Sequence, residues 1–91
     1  MRPNKMVALC RNALARLDEI EALLPYVDQR QHAFIFRSKP DVHELLRIAK
    51  FETVKRVTTE QALHINHICE QLDCIYASLP KEIIDMLDED D

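Results

Sequence analysis

The residues best equipped for chemistry cluster in the last third of the chain. His64 and His67 lie three positions apart, with Glu60 four residues before the first and Gln71 four after the second. On a helix this spacing puts two imidazoles and a carboxylate on one face, which is the beginning of a metal site. A closed zinc site takes four good ligands. The nearest thiol, Cys69, falls about 140° round the helix from His64, inside an apolar stripe. No metal is therefore expected. Cys74 lies on the polar side in line with His67, where an imidazolium would favour the thiolate. A Cys–His nucleophile also needs an oxyanion hole and a shaped cleft, and no residue pattern supplies either. His64, His67 and Cys74 are read as a solvated face, and the chain as a non-enzyme.

Composition removes further classes. The chain has 91 residues and no glycine. Without glycine it cannot carry a glycine-rich phosphate loop of the P-loop or dinucleotide type, so no nucleotide cofactor is expected. It is also poorly equipped for tight β-hairpins, which lean on glycine for positive φ. The cysteines, Cys10, Cys69 and Cys74, are odd in number and have no CxxC spacing. They read as reduced thiols, which places the protein in the cytoplasm. No apolar run approaches the roughly 18 residues that span a bilayer, and Arg11 and Arg16 interrupt any signal-peptide core.

What remains is recognition. The net charge is −4, unevenly spread. Residues 1–27 hold four basic and three acidic residues, residues 28–57 seven and four, and residues 58–91 one and nine. A basic middle thus faces an acidic end. Within the middle, Arg47, Lys50, Lys55 and Arg56 form a candidate phosphate-binding set. Residues 45–57 resemble a helix-turn-helix with Thr53-Val54-Lys55-Arg56 opening the recognition helix, except that the turn near Phe51 lacks the usual glycine.

Three features point instead to protein contacts. Ala8, Ala15 and Ala22 recur every seven residues opposite the main apolar stripe of the first helix, which permits close approach of a second helix. Leu63 sits on the otherwise polar side of its helix. Ile83, Ile84 and Leu87, edged by acids, suit a short docking helix. The leading expectation is a small non-catalytic protein–protein interaction factor (an adaptor, inhibitor or regulator of a larger protein partner) that forms a homodimer. The alternative is a DNA-associated transcriptional regulator acting through the basic set.

The elements that must position these residues are helical. Asn4 is the expected N-cap of a helix reaching Leu24, with Met6, Cys10, Ala13, Leu17, Ile20 and Leu24 inward and Pro25 ending it. Thr58 and Gln61 form an expected capping box for a second long helix over Thr59–Leu79, with Ala62, Ile65, Ile68, Cys69, Leu72, Ile75, Tyr76 and Leu79 on its inward arc. Between them, Pro40 and Asp41 mark the start of a helix that either is buried all round at its end, where Phe51, Val54 and Val57 fall opposite the apolar face, or breaks near Lys50. Residues 26–37 fit a short helix or an extended segment equally well. A short helix follows from Lys81 to Leu87. The expected fold is all-α, a small compact bundle of three to five helices organised by two long amphipathic ones. Residues 1–87 form the domain, and 88–91 an acidic tail.

Overall fold

The computed structural model describes residues 1–51 and 55–89, the last three by backbone alone. It is an all-α bundle: α1 (Pro3–Ala22), a single 3-10 turn (Leu24–Tyr26), α2 (Gln29–Lys50), α3 (Thr59–Ala77) and α4 (Lys81–Glu89). Side-chain pairs set the directions. Lys39 of α2 reaches Glu21 near the end of α1 at 3.1 Å, so α1 and α2 are antiparallel. The Cys69 thiol donates to the Leu9 carbonyl, and Arg16 lies 3.8 Å above the Tyr76 ring, so α3 runs parallel to α1. His64 meets Asp41 at 3.6 Å, and Phe34 meets His67 edge-on, closing the antiparallel α2–α3 seam.

Helix α1 is the central element. Met6, Cys10, Ala13, Leu17 and Ile20 are buried at alternating spacings of four and three, as the sequence periodicity requires. Its ends differ from expectation. Arg2, not Asn4, is the N-cap, and its side chain makes no cap bond. Pro3 explains the earlier start, because its fixed φ suits the first helical position and its missing N–H has no partner there anyway. Leu24 falls in the 3-10 turn and is half-buried, and Leu23 takes the core position beside it.

Helix α2 corrects the sequence reading. It begins at Gln29, so residues 29–37 are helical, and it runs unbroken through Pro40. Asp28 caps it, accepting the Arg30 amide at 2.9 Å. The buried stripe Ile35, Ser38, Val42, Leu45 and Ala49 crosses the proline without losing register. A mid-helix proline costs about 3 kcal/mol. Ile35 and Val42 are both fully buried, and each contributes about 1.5–3 kcal/mol, so the stripe offsets that cost. Ser38, the one buried polar side chain among the described residues, donates to the Phe34 carbonyl at 2.7 Å. The helix stops at Lys50.

Helix α3 starts as expected. Gln61 N–H donates to the Thr58 hydroxyl at 3.1 Å, and Thr58 N–H to the Gln61 side chain at 2.9 Å. Thr58→Ala should cost about 1 kcal/mol, read as a lower urea midpoint at unchanged m-value. An unshifted midpoint would mean the box carries no stability. Helix α4 extends two residues past the expected Leu87, to Glu89, so the acidic tail is partly helical. Ile83 and Ile84 pack partly against the core.

Candidate binding groove

Helices α1 and α2, antiparallel, bring the start of one beside the end of the other. The connection into α3 joins them there, where the Val57 amide donates to the Met1 carbonyl at 3.2 Å. The result is an open groove of about 700 Å³ at one end of the bundle. Its cationic walls are Arg2 and Arg11 from α1 and its cap, Lys50 at the end of α2, and Lys55 and Arg56 from the connection. Pro3, Val7, Ala49 and Phe51 supply apolar surface, and Phe51 is 58% exposed. No acidic residue lines the groove among the described residues, and none of its five cations makes an ion pair there. Glu52 lies outside the described residues.

The ends of two helices contribute to the field. The α1 N-terminus, with no side-chain cap, adds partial positive charge. The α2 C-terminus adds the opposite sign, and Lys50 has a structural reason to be basic there. Arg2, Arg11, Lys55 and Arg56 have no such reason. Holding four or more like charges around an apolar floor costs stability, which a bound anion would relieve.

Of the sequence-selected basic residues, the structure brings Lys50, Lys55 and Arg56 together and leaves Arg47 out. Arg47 Nε donates to Glu44 at 3.1 Å on the exposed face of α2, which raises the guanidinium's pKa and lowers that of Glu44. Lys55 and Arg56 lie in a bend before α3 rather than on a recognition helix, because the Thr58 capping box fixes the next helix start at Thr59. Thr53 and Val54 fall outside the described residues. Sequence reasoning missed Arg2, Arg11 and the role of Phe51.

The remaining candidates are scattered. Ala8, Ala15 and Ala22 are exposed on α1. Ala15 also borders a shallow groove of about 410 Å³ between α1 and α3, beside Leu72 and Cys69. Leu63 is 64% exposed on α3. Ile83 and Ile84 turn partly inward, leaving Met86 as the exposed apolar residue of α4, and the Leu87 side chain lies outside the described residues. Among the described residues, no three His, Cys, Asp or Glu side chains converge as a metal ion would require. None of the described helices is long and apolar enough to cross a membrane.

The thiols separate by environment. Burial pushes the Cys10 thiol up to about 11, with Cys69 nearby adding to the rise. Burial also raises Cys69, helped by the charge of Asp73. Cys74 is exposed. Titration with an aromatic disulfide at about pH 8 should show one fast thiol per folded chain, lost in Cys74→Ser, and two that react only on unfolding. Two fast thiols would contradict the burial of the α1–α3 seam. The raised Cys10 pKa also predicts alkaline weakening. The folded state disfavours its thiolate, so stability is intact below about pH 9 and falls as pH climbs towards 11.

Compared with protein-family models, curated proteins and solved structures, the chain matches none of them.

Proposed function

We propose that this chain is a non-catalytic protein–protein interaction factor that docks an acidic, partly apolar segment of a larger protein in the groove between α1 and α2. The observation that carries this reading is the groove itself, lined by five cations that make no ion pair among the described residues and by an exposed phenylalanine on an apolar floor. An aromatic anchor ringed by arginines is the composition of a binding hot spot. Pro3, Val7 and Ala49 give the floor something to bury, which favours an amphipathic acidic helix over a bare polyanion. Holding such a segment suits an adaptor, inhibitor or regulator. The three free thiols suit a reducing compartment, the cytoplasm.

The same cations favour a second reading. Phe51 is a surface on which a nucleobase could stack between phosphate contacts, as in single-strand binders. One experiment separates them. A fluorescent synthetic helix with Glu and Leu at helical spacing, and a labelled single-stranded oligonucleotide, are titrated against the full chain and against Lys55→Glu/Arg56→Glu. The peptide should bind the native chain and lose at least about tenfold affinity on charge reversal. Tighter binding of the oligonucleotide, with a steep salt slope, would transfer the groove to nucleic acid. Binding of neither would remove the groove as a site.

A further inference from the structure

Helix α4 has the chemistry that this groove selects. Ile83 and Ile84 pack partly against the core, so α4 turns Glu82, Asp85 and Met86 outward. Positions 82, 85 and 86 fall on one helical face. Met86 is 58% exposed, an apolar residue beside two carboxylates, and Asp88, Glu89, Asp90 and Asp91 follow in sequence. The groove presents the complement, Phe51 among Arg2, Arg11, Lys50, Lys55 and Arg56.

The chain's own α4 does not reach its own groove. Helix α3 runs parallel to α1, so it begins at the groove end and finishes at the other. Its 19 residues span about 28 Å. Helix α4 has nine residues, about 13 Å, and its start is tied to the end of α3 by the turn at Ser78–Pro80. Folded straight back, α4 would still stop about 15 Å short of the end of the bundle where α3 begins. A second copy has no such limit. With its long axis reversed, its α4 lies at the groove and its own groove meets the first copy's α4. The two contacts are then equivalent and the assembly closes as a two-fold dimer rather than growing into a chain.

We propose that in the free protein each groove is covered by the acidic face of α4 from a second copy, in an antiparallel dimer. The proposal rests on the groove being a docking site for acidic segments, and it adds regulation: a partner's segment must displace α4 of the second copy. Self-association thereby sets the threshold for partner binding. At low protein concentration the groove opens, and at high concentration it closes.

Sedimentation velocity tests it on the full chain through a charge swap. The native chain should be dimeric at about 50 mM salt, and its dissociation constant should rise at least about tenfold by about 500 mM. Lys55→Glu/Arg56→Glu and Glu82→Lys/Asp85→Lys should each be monomeric alone. Mixed in equal amounts they should form a heterodimer, because the two new glutamates of one groove then meet the two new lysines of the other copy's α4, while the remaining groove and α4 keep their native charges. All four positions are exposed, and circular dichroism checks that the variants keep their helicity. Should either reversal unfold, the neutral pairs Lys55→Gln/Arg56→Gln and Glu82→Gln/Asp85→Gln should still weaken the native dimer. A native chain monomeric at low salt into the millimolar range, a dimer indifferent to both substitutions, or growth into open polymers would overturn the proposal. The synthetic acidic helix keeps the two readings apart. If it binds while the native chain stays monomeric, only the dimer falls. If it fails to bind even the monomeric Glu82→Lys/Asp85→Lys variant, whose groove is uncovered, the docking function falls too.

Discussion

Leu17→Ala is expected to destabilise the protein by about 3 kcal/mol, the middle of the range for a buried leucine truncated to alanine. Leu17 is 0% exposed on α1, the helix that packs against both α2 and α3. The deleted atoms lose their full burial, and neighbours packed as tightly as a native core cannot easily collapse into the void. In a domain of this size each kcal/mol moves the melting temperature by about 4–8 °C, so thermal unfolding should begin at least about 12 °C lower. Leu63→Ala is the matched control. Its side chain is 64% exposed, and the same chemical change should stay within about 0.5 kcal/mol. Equal effects at the two positions would show that α1 is not the centre of the core.

The second large effect has the opposite sign. Pro40→Ala should stabilise the protein by about 2 kcal/mol. Proline at this position removes one hydrogen bond, from residue 40 to the Phe36 carbonyl, and crowds that carbonyl with its ring. Alanine restores the bond and has the best intrinsic helix propensity. Some of the gain is returned, because proline also stiffens the unfolded chain, by about 0.4–1 kcal/mol. Pro40 is exposed, so no packing is lost. The neighbouring Lys39 ties α2 to Glu21 and Asp18 of α1, and the Glu21 contact holds its ammonium pKa above the ordinary value. That clamp lies on α2's own face towards α1 and survives the substitution. A lower melting temperature for Pro40→Ala would mean that the proline serves the bundle by shaping α2.

The same proline shows where the sequence was legible and where it was not. Helices α1 and α3 have unbroken apolar stripes, bounded by Pro3 and Pro25 in one case and by a Thr58–Gln61 box and Pro80 in the other. Local signals and burial agree there. In α2 they conflict. Pro40-Asp41 has the local grammar of a helix start, and Ser38 interrupts the apolar pattern at the point where continuity had to be judged. The structure resolves this with a side-chain bond from Ser38 to Phe34, which makes serine acceptable in the stripe. That bond is local to α2; what no single-residue preference contains is the burial of Ile35, Val42 and Leu45 in one stripe across the proline.

The groove was half legible for a similar reason. Lys50, Lys55 and Arg56 are neighbours in sequence and stood out as a set. Arg2 and Arg11 lie about 40 to 55 residues away, and only the antiparallel α1–α2 pairing and the Val57–Met1 hydrogen bond bring them in. Arg47 joins the set on sequence because, on a helix from Asp41, it projects with Lys50 to the side away from the apolar face. Glu44, three residues earlier, is the signal that separates it, because that spacing pairs opposite charges along one helix.

The parallel course of α1 and α3 has one more consequence, for how a partner arrives. The bundle's long axis is 44 Å, with the cations gathered at one end and α3 delivering the acidic segment to the other. At about 0.1 M salt, fields die away over about 10 Å, roughly a quarter of that length. An acidic segment of the kind proposed to dock there would therefore not sense the overall negative charge. It would meet two poles too far apart to cancel, repelled in one orientation and attracted in the other.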